Sequence, residues 1–453
     1  MNRPNYFLAD LPAEAVLTPG LITEACQTLK RNRAHYLEAR TTESMIQTLE
    51  EIGREWLEPD YPFRRHVLEA GPAATGFPAP VLAAGLDSFF TQLTAENLEG
   101  LLRQEIGHPQ RLDQFFAGDP ERGPRRSALA RGPHLLAHIA PGNIPTPVLL
   151  EMVLGLLARS AQFVKCASGQ AFIPRLFAHS LYDAEAKLGA CLEIAEWKGG
   201  AEGLEAALFA EADCVVATGS DETLAAIRGT LPPRVRFVGY GTRVSFGYVT
   251  KEALAVRHPE TVARRAALDV AAWNQLGCLS PHVIYVEEGG KTGAEGFADL
   301  LARQLEALEQ THPRGPLTAR EAAGIAARRS VYEVRAAHSP ETKMWASSQS
   351  TAWTVVLEVD PLFQVSCLNR FVYIKAVNNV TEALQGAEPV RENVSTVGLA
   401  ANSARTAELA LQFARWGVRR VCPLGEMQKP PLGWRHDGRP ALGDLLTWTE
   451  WEK

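Results

Sequence analysis

The sequence predicts an α/β protein: a doubly wound parallel sheet, followed by a second α/β domain. Three observations carry that expectation. Short apolar runs alternate with helix-length segments over roughly a hundred residues from Leu135 onward, the pattern of a parallel sheet covered on both faces. Residues 1–125 carry helical spacing instead. After the turn Gly277-Cys278-Leu279-Ser280-Pro281 a new series of strand-type runs begins.

In the first region, residues 22–29, 42–49 and 81–102 place apolar side chains at mixed three- and four-residue spacing, which predicts helices. Residues 71–78 (Gly-Pro-Ala-Ala-Thr-Gly-Phe-Pro) read as a turn-rich connection. Residues 118–126 read as a solvated boundary, whose arginines either meet a phosphate or simply face water. From Leu135 the expected strands are 135–140, 163–164, 192–195, 214–217 and 235–238. The helices between them run to about Arg159, to about Leu188, over 202–210 and over 220–228. Pro145 and Pro147 are tolerated in a first helical turn, where a missing N–H costs little. Later strands are expected at 283–286, 354–359 and 371–375, with helices at 297–308 and 404–416.

At 453 residues the chain is too long for a single core, and 46% hydrophobic with 22% charged residues is globular composition. A net charge of −6 gives no electrostatic reason to expect nucleic acid or anionic lipid as a partner. The opening MNRPNYFLADLPAEAV has no apolar signal region, and no apolar run reaches spanning length, so a cytoplasmic protein without a membrane span is expected. The seven cysteines (26, 166, 191, 214, 278, 367, 422) form no CxxC pair and no ligand-like spacing with histidine. Neither disulfides nor a metal site are expected, and the thiols are read as reduced.

Four places carry candidate chemistry. Cys278 lies between a glycine and a small polar turn at the entry to a strand, a setting that suits a thiol nucleophile attacking a carbonyl; a packed, inert thiol is the alternative. Asn143, in Pro141-Gly142-Asn143, offers a side-chain amide to an oxyanion or merely completes a turn. Lys165 ends a strand and either reaches a ribose hydroxyl or phosphate or snorkels to water. Thr218-Gly219-Ser220 opens a helix after a strand, which makes an anion site of its free N–H groups or leaves Ser220 as a plain N-cap. No GxGxxG is present. His436 and Asp437 read either as a base with its orienter or as a turn before Gly438.

Taken in order, Ala140-Pro-Gly-Asn-Ile-Pro, Val164-Lys-Cys-Ala-Ser, Ala217-Thr-Gly-Ser and Asn274-Gln-Leu-Gly-Cys resemble the motif series of the aldehyde dehydrogenase superfamily. Tyr240-Gly-Thr-Arg-Val-Ser-Phe-Gly, Cys278-Leu-Ser-Pro and the ending Arg435-His-Asp-Gly-Arg-Pro resemble one branch, the LuxC-type acyl-CoA reductases of bacterial luminescence. The resemblance covers residues 130–453. It implies four parts: a helical N-terminal region (1–125) docking on the cofactor domain, a nicotinamide-dinucleotide domain (126–245), a catalytic domain (246–425) and a C-terminal return segment (426–453). By the same resemblance Cys278 is the nucleophile and Asn143 the oxyanion donor, while Lys165, Ser168, Gly219 and Ser220 bind the cofactor.

Two departures matter. Aldehyde-oxidising members carry a glutamate as general base for water in a segment that corresponds here to Phe237-Val-Gly-Tyr-Gly-Thr-Arg-Val, which has no carboxylate. The glutamate that holds the nicotinamide ribose falls near Ser366, with Glu358 the nearest carboxylate.

The expected function is reduction of a long-chain fatty acyl-CoA to the aldehyde with NADPH, through a thioester on Cys278 that expels coenzyme A. The alternatives are the oxidative direction, as a CoA-acylating aldehyde dehydrogenase, and an acyl-holding or acyl-transfer subunit without redox chemistry. A homo-oligomer is expected, with an acyl-activating or acyl-transferring subunit as a further partner and acyl-loaded protein as an alternative substrate.

Overall fold

The structure, a computed structural model, describes residues 4–12, 14–255 and 257–453. It divides into two compact units, one formed by Met1–Thr75, Leu86–Gly241 and Pro431–Lys453, the other by Gly76–Gly85 and Thr242–Pro430.

In the first unit, β1 (Arg126–Arg131) pairs antiparallel with the C-terminal strand Thr447–Glu452. The main sheet contains β2 (Leu135–Ile139), β3 (Ala161–Cys166), β4 (Leu192–Glu196), β5 (Cys214–Thr218) and β6 (Arg236–Tyr240). All five are parallel, in the order β4-β3-β2-β5-β6. The chain therefore winds outward in one direction from β2 and then returns to wind the other way from β5. Such a reversal opens a crevice beyond the carboxyl ends of β2 and β5, where ligands of doubly wound sheets bind. Every residue of β2 and β3 is buried, which is why these strands read as unbroken apolar runs and not as alternation.

Helix Pro19–Tyr36 and helix Glu202–Glu211 cover one face, packing Ile22, Cys26 and Leu29 with Ala137, Phe163 and Phe209. Helix Thr42–Leu57 brings in Trp56, whose indole N–H donates to Ser180 at 2.9 Å while its ring stacks on Phe90. The predicted turn at residues 71–78 is half helix: Pro62–Thr75 runs straight through Pro72. A proline there removes one hydrogen bond near the helix end. The turn begins only at Gly76, which has φ 79°.

The second unit holds β7 (Val244–Val249), β8 (Pro281–Glu287), β9 (Thr342–Ala346), β10 (Thr354–Glu358), β11 (Phe371–Val377), β12 (Val394–Ala400) and β13 (Arg420–Pro423). The order is β13-β12-β7-β8-β11-β10-β9, parallel throughout except for the edge strand β9. Helix Gly293–Thr311 covers one face through Phe297, Leu301 and Leu305, packed with Ile284, Val286 and Ile374. Tyr332 and Phe413 fill the other face against Tyr248, Tyr285 and Tyr373. β8 is thus the fully buried centre of the sheet, and the Cys278 turn feeds straight into it. Among the described residues no helix is long and apolar enough to cross a membrane.

Candidate active site

In the first unit the predicted residues gather at the carboxyl ends of three neighbouring strands. Asn143 lies exposed in the turn between β2 and helix Thr146–Leu157. Lys165 is buried near the end of β3, its ammonium 5.8 Å from the Trp197 ring centroid. Burial pushes that ammonium below the usual lysine range, partly offset by the charges of Glu205, Cys166 and Glu196. It makes no hydrogen bond or ion pair among the described residues, so this cation is available to an incoming ligand. Ser168 is exposed three residues later, in a turn held by Glu196, whose carboxylate accepts the Gly169 N–H at 2.6 Å and the Ala171 N–H at 3.2 Å.

Thr218 ends β5, and the Gly219 N–H donates to the Tyr240 carbonyl at 3.1 Å. Ser220 caps helix Asp221–Thr230, accepting the Thr223 N–H at 3.3 Å. That first turn already carries Asp221 and Glu222, two charges a phosphate would have to face.

One connected group escaped the sequence reading. Thr218 donates to Glu151 at 3.3 Å, Glu151 lies 3.3 Å from His138 Nδ1, and His138 Nε2 meets Gln162 Oε1 at 2.8 Å. This buried polar chain runs from the middle of the sheet to the end of β5. Its signal in the sequence is a lone acid inside the apolar stretch Leu149-Leu150-Glu151-Met152-Val153, because an unpaired buried carboxylate is rare.

Beside the stretch lacking a carboxylate lies an acid from another element: the position a Cβ at Gly241 would take is reached by Asp221 Oδ1, the end of a side chain that can swing aside. Next to it the His436 ring stacks on Tyr240 at 4.1 Å between centroids, and the Arg439 guanidinium sits 5.0 Å over the same ring. Asp437 is buried with φ 54°.

In the second unit the turn that carries Cys278 is held by two side chains. Ser245 of β7 donates to the Cys278 carbonyl at 2.9 Å, and the Gln428 amide donates to the Ser280 hydroxyl. Trp273, Asn274 and Gln275, immediately before the turn, all have left-handed backbone, with φ of 49°, 53° and 66°. The indole of Trp273 lies so close to Gly85 that a Cβ there would collide with it. Leu368, Asn369 and Arg370 form a second left-handed triplet, with φ of 62°, 55° and 65°. Non-glycine residues in this region carry strain of about 1–3 kcal/mol each and persist where their surroundings over-determine them, often at active sites.

Cys278 is half-buried. Burial pushes the thiols of Cys26, Cys166, Cys191 and Cys422 to about 12 and raises those of Cys214 and Cys367. A thiol held that high has almost no thiolate at neutral pH. His282, four residues past Cys278, accepts the Ser366 N–H on Nδ1 at 3.2 Å, and burial drops its imidazole to about 4, keeping it neutral. Ser366, where the ribose-binding glutamate falls by resemblance, also has its hydroxyl 3.1 Å from that nitrogen. Glu358 is fully engaged elsewhere, 2.7 Å from both Lys375 and Arg335. Among the described residues no group of acids, histidines and cysteines could hold a metal ion.

Comparison with known proteins adds the family. The model described as acyl-CoA reductase (LuxC) matches residues 37–448. The long-chain acyl-protein thioester reductase of Aliivibrio fischeri is 21% identical over 419 residues, covering 90% of this chain and 82% of that protein. Its counterpart in Photorhabdus luminescens is 22% identical over 421 residues, with the same coverage of 90% and 82%. Among solved structures, the putative aldehyde dehydrogenase PutA of Anabaena variabilis superposes with a TM-score of 0.71 at 18% identity, over 96% of this chain and 94% of that one. A NAD-dependent benzaldehyde dehydrogenase of Corynebacterium glutamicum gives 0.70 at 13% identity, over 97% and 90%. At such identities the likeness shows the fold, which is the aldehyde-dehydrogenase-like α/β architecture expected.

Proposed function

The chain belongs to the acyl-CoA reductase (LuxC) family, and from that premise we propose that it reduces a long-chain fatty acyl thioester to the aldehyde, using NADPH and a covalent acyl-enzyme on Cys278. The observation that carries the reading is the setting of Cys278, a half-buried thiol on a turn pinned by Ser245, Gln275 and Gln428 at the entry to β8.

As thiolate, Cys278 attacks the thioester carbonyl; the carbon–sulfur bond to the incoming carrier breaks, and the carrier leaves as its thiol. Asn143 is assigned the side-chain amide that stabilises the oxyanion, and the Cys278 backbone N–H the second donor. The donor set of the first unit suits a dinucleotide: the Lys165 ammonium, which makes no hydrogen bond or ion pair among the described residues, the Ser168 hydroxyl, and the Gly219-Ser220 turn at a switch point of the sheet. A bound nicotinamide would supply hydride to the acyl carbon on Cys278, giving a thiohemiacetal that collapses to aldehyde and free thiol. The preference for NADPH over NADH rests on the family resemblance.

The carrier is coenzyme A or a thiol on an acyl-loaded protein; the relatives, named as acyl-protein thioester reductases, favour the protein. The reaction on Cys278 is the same for either. Nicotinamide oxidation followed with acyl-CoAs from acetyl to hexadecanoyl, and with the same acyl groups on a protein thiol, tests the reading. Aldehyde formed in step with NADPH lost supports it. Acyl transfer to added thiol with no nucleotide consumed would favour the acyl-holding alternative.

Replacing Asn143 by alanine is expected to lower turnover by roughly 10²–10³, the usual cost of one oxyanion donor, with little change in nucleotide affinity. Unchanged turnover with a lowered melting temperature would make it a turn residue only.

A further inference from the structure

We propose that Gln275 and Arg370 are positioning residues for the Cys278 thiol, locking together the two left-handed triplets that frame its turn. The inference rests on the reading of Cys278 as the nucleophile, and deepens it.

Gln275 has no exposed surface, and its amide makes three hydrogen bonds. Nε2 donates to the Pro281 carbonyl at 2.8 Å, which closes residues 275–281 into a loop with Cys278 inside. Nε2 also donates to the Phe371 carbonyl, and Oε1 accepts the Phe371 N–H, both at 2.9 Å. Toward Phe371 the side chain therefore imitates one residue of a neighbouring strand. Arg370, equally buried, donates from Nη2 to Asn274 Oδ1 at 3.1 Å and from Nη1 to Glu309 at 2.8 Å. Glu309 in turn accepts the Arg314 N–H, and the Arg314 carbonyl accepts Asn274 Nδ2 at 2.7 Å. Asn274, Arg370, Glu309 and Arg314 form a closed ring.

A run of three left-handed non-glycine residues is unusual for an L-chain, which visits this region as single residues. Two such runs, ninety-odd residues apart and tied by side chains, need a reason beyond building the sheet, because β8 and β11 are already paired by their own backbone. What the ties fix is the entry to the seven-residue loop that carries the thiol. A nucleophile displaced by about 1 Å loses on the order of 10² in rate.

Two variants test this. Gln275→Glu keeps the size but turns a carboxylate oxygen toward two carbonyls. Arg370→Lys keeps the charge opposite Glu309 and gives up the second arm of the fork. Turnover, KM for hexadecanoyl-CoA, nucleotide affinity and thermal midpoint are measured together, with intact-mass detection of the acyl group on Cys278. The expected result for Gln275→Glu is a fall in kcat of roughly 10²-fold, with KM and nucleotide affinity within about twofold. For Arg370→Lys a fall of about tenfold is expected. A lowered thermal midpoint with kcat of the folded protein within twofold of the parent would overturn the inference. Arg370→Lys decides it by the same criterion if Gln275→Glu does not fold. Failure of the parent enzyme to take any acyl group on Cys278 is a different result, which removes the reading of the nucleophile and the inference with it.

Discussion

Cys278→Ala is expected to abolish aldehyde formation, a loss on the order of 10⁴-fold or more, while nicotinamide-nucleotide binding changes by no more than a few-fold. The loss is large because the acyl group then has no covalent station in the protein. Cys26, Cys166, Cys191, Cys214 and Cys422 are buried, and burial raises the thiol of the half-buried Cys367 as well. Nucleotide binding should survive because the residues proposed to hold the nucleotide, Lys165, Ser168, Gly219 and Ser220, belong to the other unit, built on its own sheet. The alanine also leaves the turn intact, since Ser245 holds residue 278 by its carbonyl and not by its side chain. Turnover within tenfold of the parent would mean that the thiol is not the attacking group.

The second large effect concerns water. An acyl-enzyme formed without nucleotide is expected to persist, and added coenzyme A should discharge it roughly 10²–10⁴ times faster than buffer does, the range that general-base assistance is worth. The ground is chemical: residues 237–244 present no carboxylate to take a proton from water, and His282 keeps Nδ1 bonded to Ser366. Loading the enzyme with labelled acyl-CoA, removing the excess and following label loss with and without thiol measures both rates on one intermediate. Rapid release of free fatty acid in buffer alone would reveal a base, with Asp221 beside Gly241 and His436 against Tyr240 the first candidates. It would also revive the aldehyde-oxidising reading.

The sheet of the first unit was legible because its strands are buried on both faces: Phe163-Val164 and Cys214-Val215-Val216 admit few other structures when bounded by helical segments. Ser220 as an N-cap follows from local chemistry alone, and the structure shows that bond. Helix Ala319–His338 was not legible. Only Ile325 and Tyr332 are buried along its twenty residues, so it carries no apolar stripe, and its signals were the capping box Thr318–Glu321 and a composition rich in alanine and arginine. Pro72 was misread because a proline in a helix costs one bond, and the helix absorbs it. Nothing local marks Trp273-Asn274-Gln275 as left-handed. The groups that hold it there, Arg370 and Phe371, come from a distant stretch, and periodicity says nothing about such pairs. The buried pair Lys375–Glu358 was invisible for the same reason.

The central claim is that an acyl group passes through a thioester on Cys278 before it is reduced. Peptide mass spectrometry of the unmodified enzyme, after exposure to hexadecanoyl-CoA without nucleotide and again after NADPH is added, tests it most directly. The account predicts one acyl adduct, on the peptide containing Cys278, which disappears on adding NADPH as an equal amount of hexadecanal is formed. An adduct on the peptide of Cys166 or Cys422, or aldehyde formed at full rate with no adduct at any stage, would contradict it.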